Sequence, residues 1–173
     1  MEFTFTLKYR LPADACALDE LLERLGAHGC DDALVGTGVA GRMALEFTRE
    51  AGSAEEAVCS ALADVRRALP NAQLIEAAPD LVGLSDVAAM LKLSRQNLRK
   101  LMTTHGERFP APVHEGSASV WHLAELFEWL DKRGYAVEPG ALAVARVTRQ
   151  VNVAKESLRL PAIPGKRLLS LVA

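Results

Sequence analysis

Five polar side chains crowd into positions 95–100: Arg95, Gln96, Asn97, Arg99 and Lys100, with Leu98 alone apolar. These are the residue types that read and hold a polyanion. Arg makes paired hydrogen bonds to guanine, and Gln or Asn to adenine, from the major-groove edge. Arg and Lys also neutralise phosphates. Ser94 stands just before them, where a hydroxyl and a helix N-terminus take a phosphate oxygen. From Lys92 to Arg108 the chain carries five Lys or Arg against one acid, Glu107. The candidate DNA-binding set is therefore Lys92, Ser94, Arg95, Gln96, Asn97, Arg99, Lys100 and Arg108, with His114 further on. Arg95, Gln96 and Asn97 are placed to read bases; Ser94, Arg99 and Lys100 are placed to hold the backbone.

The flanking pattern supplies elements to position them. Ser85 is a natural N-cap for a short helix over 86–91, with Val87, Ala88 and Leu91 as its inner face. Small Ala88 and Ala89 permit close approach by another helix. Lys92-Leu93 makes a tight connection with Leu93 plugging the corner, and Ser94 caps a second helix over 95–103. Leu98, Leu101 and Met102 face inward there, leaving the polar set outside. This is a helix-turn-helix with a polar second helix. Phe109-Pro110-Ala111-Pro112 follows, then a hairpin over 113–120, then Trp121 and a helix over 122–130 closed by Trp129-Leu130. Two short helices with a solvated charged face would share part of this pattern. The whole combination is more specific.

Residues 83–130 resemble the MerR-like winged helix-turn-helix of the AlpA phage-regulator and excisionase group. In that group a helix-turn-helix leads to a Phe-Pro-x-Pro segment, a two-stranded wing, a tryptophan and a helix ending in a Trp-Leu-like pair. The likeness covers about 48 of 173 residues. It implies a DNA-binding regulator. One departure stands out: such wings are often basic, whereas this one offers His114 beside Glu115 and small polar residues. The second helix then carries more of the binding.

Residues 138–158 predict a long helix with Pro139 in its first turn. Val144, Val147, Val151, Ala154 and Leu158 recur at spacings of 3, 4, 3 and 4, a coiled-coil-like seam. One reading is a dimerisation helix that pairs two reading heads on a two-fold site. The other is a helix packed on its own chain, because two heptads do not prove a zipper.

The first half has a different character. Phe3, Phe5, Leu7 and Tyr9 alternate with Thr4, Thr6 and Lys8, a half-buried strand. Asp14 can cap a helix to about Leu25 with Leu18, Leu21, Leu22 and Leu25 on one stripe; Gly26 and Gly29 stop it. Strands follow at 33–36 and 42–47. Ser53 with Glu56 opens a capping-box helix to about Leu69, its face formed by Val58, Leu62, Val65 and Leu69. A short strand at 73–76 ends the unit. The order β-α-β-β-α-β is that of the ferredoxin-like split βαβ unit, with both helices on one face. The expected fold class is α+β. A ferredoxin-like domain (1–78) would serve sensing, partner binding or dimerisation, and Ala77-Ala78-Pro79-Asp80 is its linker. A winged helix-turn-helix (79–135), a C-terminal helix (136–160) and an irregular tail (161–173), packing partly through Leu168, Leu169 and Leu171, complete the chain.

Charge follows the same division. Residues 1–80 hold seven Lys+Arg and fourteen Asp+Glu, and residues 81–173 hold thirteen and eight. An acidic first half on a basic second half points to two functions on one chain. Asp19, Glu20, Glu23, Glu55, Glu56 and Asp64 are either a partner-facing surface or solvated helix faces.

Other patterns carry less. Gly36-Thr37-Gly38-Val39-Ala40-Gly41 matches G-x-G-x-x-G, but a strand-like Arg42–Phe47 follows where a dinucleotide site needs a helix, so it reads as a hairpin turn. His28, His105, His114 and His122 form no recognisable metal set, and His122-x-x-Glu125 lacks a third ligand. Cys16 falls at a helix start, Cys59 near a buried helix face, and Cys30-Asp31-Asp32 in a solvated turn. Three cysteines without a CxxC pair argue against a disulfide framework and a thiolate zinc site and fit a reducing cytoplasm. Neither a signal peptide nor a membrane-length apolar run is present. No base–nucleophile or carboxylate pair can be placed, so catalysis, metals and cofactors are not expected. The expectation is a cytoplasmic, homodimeric, sequence-specific regulator of transcription on double-stranded DNA, nucleoid-associated when bound. It would control its own operon in a phage-type or antitoxin-like role, with a protein partner or small effector at 1–78. The alternative is a protein-interaction adaptor whose helix-turn-helix does not bind DNA.

Overall fold

The computed structural model describes residues 1–13, 15–160 and 166–172. Alternating apolar and polar residues make β1 (Glu2–Arg10) and β3 (Arg42–Glu50) two-faced strands. Phe3, Phe5, Leu7 and Tyr9 on one, and Met43, Leu45 and Phe47 on the other, are all buried. The two strands pair antiparallel over their full length, with Glu2 opposite Glu50 and Arg10 opposite Arg42. β2 (Ala33–Gly36) adds outside β3, and β4 (Gln73–Ala78) adds outside β1. The sheet order is β2-β3-β1-β4, every neighbouring pair antiparallel. Gly36–Gly41 is the turn between β2 and β3, with Gly41 at φ +69°, a conformation that favours glycine.

Helices cover the apolar face of the sheet. α1 (Leu18–Ala27) starts later than expected: its N-cap is Ala17, which offers no side-chain acceptor, and Asp14 lies outside the described residues. Leu21 and Leu25 are buried, while Leu18 and Leu22 stay exposed. α2 (Ala54–Ala68) starts where Ser53 Oγ accepts the Glu56 N–H at 3.1 Å. The Glu56 carboxylate reaches back to the Gly52 N–H (2.9 Å) instead of Ser53, so the box is displaced by one residue. The buried face of α2 is built mainly of Ala54, Ala57, Ala61 and Ala68 around Val58 and Val65. Those small residues let another helix approach closely.

A second core forms after β4. β5 (Leu81–Val82) pairs antiparallel with β6 (Trp121–His122). Around this ribbon pack α3 (Leu84–Met90), α4 (Arg95–His105) and α5 (Leu123–Asp131), burying Val87, Leu98, Leu123, Leu126, Phe127 and Leu130.

α6 (Pro139–Ser157) joins the two cores. The Glu138 carboxylate accepts the N–H groups of Gly140 (3.0 Å) and Ala141 (2.7 Å) and fixes its start. Val144 is buried in the first core with Val147 and Val151 packed beside it, and neighbouring Ala145 is buried in the second. The 3-4 stripe expected to form a seam with another copy is therefore used on the chain's own sheet and α2. Only Ala154 and Leu158, at its far end, are exposed. A coiled coil through this stripe would have to lift α6 off the sheet.

The segment expected as a linker is a polar joint. Asn152 on α6 donates to Ala77 O (2.8 Å) and to Asp80 Oδ2 (2.8 Å), and accepts the Ala77 N–H (2.9 Å). Thr148 Oγ1 donates to Pro79 O at 2.6 Å. Lys155 Nζ donates to Ile75 O. The tail expected to be irregular contains a short helix, α7 (Lys166–Val172), with Leu168 and Leu171 exposed rather than packed. Residues 161–165 and Ala173 lie outside the described residues. Among the described residues, no helix is long and apolar enough to cross a membrane.

Candidate nucleic-acid interface

α3 and α4 present the polar set as the sequence spacing requires. α3 is capped from within: the Asp86 carboxylate accepts the Gly83 N–H at 2.8 Å, so Gly83 and not Ser85 is the N-cap. Ser85, the second residue of the helix, lies two residues past the cap position. The corner is closed by Leu93, whose N–H donates to Ala88 O at 2.8 Å and whose side chain packs on the second core. Lys92 sits at φ +55°, the single described non-glycine residue with positive φ. Its backbone is bent so that its side chain is exposed at the turn.

α4 starts at Ser94, whose Oγ accepts the Asn97 N–H at 3.1 Å. The amides of Arg95 and Gln96 remain at the open helix end, where backbone N–H groups favour an anion. Leu98 is buried, Leu101 and Met102 pack beneath it, and Arg95, Gln96, Asn97, Arg99 and Lys100 are exposed. Residues four apart share a helix face. Arg95 with Arg99, and Gln96 with Lys100, therefore form two adjacent outward rows.

None of Lys92, Arg95, Arg99, Lys100 and Arg108 makes an ion pair with a described residue. Arg24, Arg49, Arg67, Arg146 and Arg149, elsewhere in the chain, are paired with carboxylates at 2.9 Å or less. The unpaired cations of this region cluster on the helix-turn-helix.

The loop after α4 is built on aromatic packing. A single 3-10 turn at Gly106–Arg108 ends at Phe109, which is buried. The Phe109 ring meets Trp129 edge-on at 5.0 Å and Trp121 at 6.3 Å. Trp121 Nε1 donates to Pro110 O at 3.0 Å, and Trp129 Nε1 donates to Arg108 O. Arg108 is thus held by its backbone while its side chain is exposed. The Phe-Pro-x-Pro segment and the two tryptophans form one lock that ties the hairpin to α4.

The hairpin expected as a two-stranded wing is narrower than a ladder. It holds one antiparallel bridge, His114 with Val120, extended by Val113 N–H to Val120 O at 2.8 Å. His114 is exposed, and its ring lies so close over Gly116 that a Cβ there would come within 2.6 Å of Nε2. A cleft of about 430 Å³ separates the hairpin from the two helices. Ser117 and Ser119 line one wall, and Asp86, Arg95 and Arg99 line the other.

The comparison with protein families matches residues 80–134 to a family described as "Prophage CP4-57 regulatory protein (AlpA)". Residues 80–134 are an AlpA-type helix-turn-helix module. The match starts at Asp80, the residue at the joint between the two cores, and ends at Gly134, just past α5. No curated protein and no solved structure matches the chain.

Several other residues singled out in the sequence have structural surroundings of their own. His122 Nδ1 lies 2.7 Å from Asp80 Oδ1, and Glu125 pairs with Arg149 at 2.8 Å, so the two form no shared ligand set. Among the described residues no group of three or more His, Cys, Asp or Glu is arranged to hold a metal. Cys59 is exposed, not near a buried face. Cys30, expected in a solvated turn, is buried in the first core, and burial with Asp64 nearby pushes its thiol up to about 11. Asp32 and Asp64 are not free surface acids. They bind the guanidinium of Arg49 at 2.7 Å each, with Gly29 O and Ser60 Oγ as further partners. Arg49 lies in the inward row of β3, where the alternation calls for an apolar residue. That inward charge facing two acids was the available sequence signal for this network.

Proposed function

We propose that this chain is a cytoplasmic regulator that binds specific DNA sequences as a homodimer. The AlpA-type module would act as a MerR-like winged head. The observation carrying this reading is α4: an exposed polar helix with unpaired cations, capped by Ser94 and held rigid by a buried Leu98. Arg95, Gln96 and Asn97 occupy its first turn, the part of a recognition helix that meets base edges. Arg99 and Lys100, one turn on, and Lys92 and Arg108, at either end, contact phosphates. Ser94 Oγ accepts from the helix, and its own hydrogen is available to a phosphate oxygen. Ser117 and Ser119, across the cleft from Arg95 and Arg99, give this hairpin, which lacks Lys and Arg, a hydrogen-bonding role along the backbone. His114 stands at the hairpin's base.

Residues 1–78 are read as a ferredoxin-like domain. The strand order 2-3-1-4 with all-antiparallel pairing supports this. Its role is to bring two copies together and to gate DNA binding through a small effector or protein partner. Control of the chain's own operon is the simplest output. The role assigned is binding, with no catalytic step.

The test is fluorescence anisotropy with labelled fragments from the DNA flanking the chain's own coding region. Binding to one fragment at least about 1,000-fold tighter than to unrelated DNA supports the reading. Equal affinity for all fragments, or none at low salt, contradicts it.

A further inference from the structure

One face of the four-stranded sheet is covered by helices; the other is open. The open face of β1 and β3 has an unusual charge order. At one end Arg10 lies directly opposite Arg42, and at the other Glu2 lies directly opposite Glu50. All four are exposed, and none makes an ion pair with a described residue. Like charges directly opposite one another destabilise a strand pair. Here one such pair stands at each end of the same two strands, with opposite sign.

The two ends cannot neutralise each other within the chain. Eight residue steps of extended strand separate them, roughly 27 Å at ~3.4 Å per step, beyond the ~8–10 Å screening length at physiological salt. Lys8, also on this face, is already paired with Glu76 at 2.8 Å. Between the ends lie Thr4, Thr6, Ala44 and Thr48, short side chains that permit close approach, with Glu46 diagonal to Lys8. Leu34 on β2, opposite Glu46, is 73% exposed and adds an apolar contact to the same face.

We infer that this open face pairs with the same face of a second copy, the strands running antiparallel across the interface. A two-fold axis at right angles to the strands, through the Thr6–Glu46 pair, sets Arg10 and Arg42 of each copy against Glu2 and Glu50 of the other; the two copies' Glu46 meet at the axis, each with its own Lys8 diagonal to it, so four Arg–Glu contacts stand against one acid pair. The contact is then made twice, as an isologous interface requires. Charge complementarity selects the partner, since a surface carrying both signs at opposite ends fits its own reverse. The inference rests on the dimeric reading above and names its surface. It leaves α6 on its own chain and the two α4 helices free.

The test is sedimentation equilibrium of the full chain without DNA, comparing wild type with Arg10→Glu/Arg42→Glu and with Glu2→Arg/Glu50→Arg. Each variant should dimerise at least about 100-fold more weakly, because like charges juxtaposed across an interface are strongly repulsive. Mixing the two variants should restore a dimer, now of one copy of each; that recombination also proves both are folded. A monomeric wild type would overturn both the dimeric reading and this surface, while the anisotropy test of DNA binding stands apart. A wild-type dimer unaffected by either variant, or variants that weaken it but do not recombine, would overturn this surface alone.

Discussion

Asp80 Oδ1 lies 2.7 Å from His122 Nδ1, and the Asp80 carboxylate is 1% exposed. A carboxylate only accepts, so Nδ1 carries the hydrogen. The other oxygen of Asp80 takes Asn152 Nδ2 at 2.8 Å, and its carbonyl takes the Leu123 N–H at 2.7 Å. One residue thus ties three elements together where the chain passes from the sheet to the AlpA-type module: its side chain binds β6 and α6, and its main-chain carbonyl binds the start of α5. Asp80→Ala should leave half-buried His122 without its acceptor and Asn152 with Ala77 O alone. Stability measured by urea denaturation should fall by about 2–4 kcal/mol. A change within about 0.5 kcal/mol, the range of an ordinary surface substitution, would show the joint to be dispensable.

α6 gives a second expectation. Val147 packs on the first core of its own chain. Val147→Asp should therefore destabilise the fold by about 1–3 kcal/mol through burial of an unpaired charge, independent of protein concentration. If α6 were instead a zipper, the loss would appear as concentration-dependent dissociation with little change in the fold of each copy.

Cys30 predicts an alkaline limit. Its thiol is raised from 9.0 to about 11, chiefly by burial. The folded state holds the proton more tightly than the unfolded chain. The stability this contributes is complete below pH 9 and is lost as pH rises through about 11, on the order of 2 kcal/mol in all. Burial pushes the Tyr9 phenol up as well, and its loss acts in the same direction at higher pH. Cys30→Ala should flatten the fall between pH 9 and 11. In the native wild type at pH 8, exposed Cys59 should react with iodoacetamide well before Cys30.

Lys92 separates fold from binding. Its φ of +55° favours glycine, and its side chain is one of the unpaired cations. Lys92→Gly should leave the melting temperature unchanged or raise it, because relief of the left-handed backbone offsets the extra freedom of the unfolded chain. The same change should weaken DNA binding and make its salt dependence shallower by about one unit. Loss of both together would mean that Lys92 acts through the turn alone.

How far the sequence foretold this structure depends on the range of the pattern. Alternation along Phe3–Tyr9 and Met43–Phe47 marked two strands and their buried faces, because a period of two is local. The polar 95–100 run around Leu98 marked α4 for the same reason, and Phe109, Trp121 and Trp129 were visible as a set through the family pattern. The joint at Asp80 was not visible. Asp80, His122, Thr148 and Asn152 lie far apart in the chain, and a polar residue on a helix ordinarily reads as solvated. Thr148 and Asn152 did leave a trace: they are four residues apart within a valine-rich stripe. For α6, apolar spacing says which face is buried but not against what, so a seam between copies and packing on the chain's own core read alike in the sequence. The alanine face of α2, which receives α6, carries little hydropathic signal.

The most direct test of the central claim is DNA affinity across a salt series for wild type, Gln96→Ala and Arg99→Ala. The account predicts a steep salt slope for wild type. Gln96→Ala should cost about 1–3 kcal/mol on the preferred fragment and relax discrimination at one position with the slope unchanged. Arg99→Ala should weaken every sequence alike and lower the slope by about one unit. Affinities and slopes that stay at the wild-type value in both variants would show that α4 does not meet DNA, and the account would be wrong.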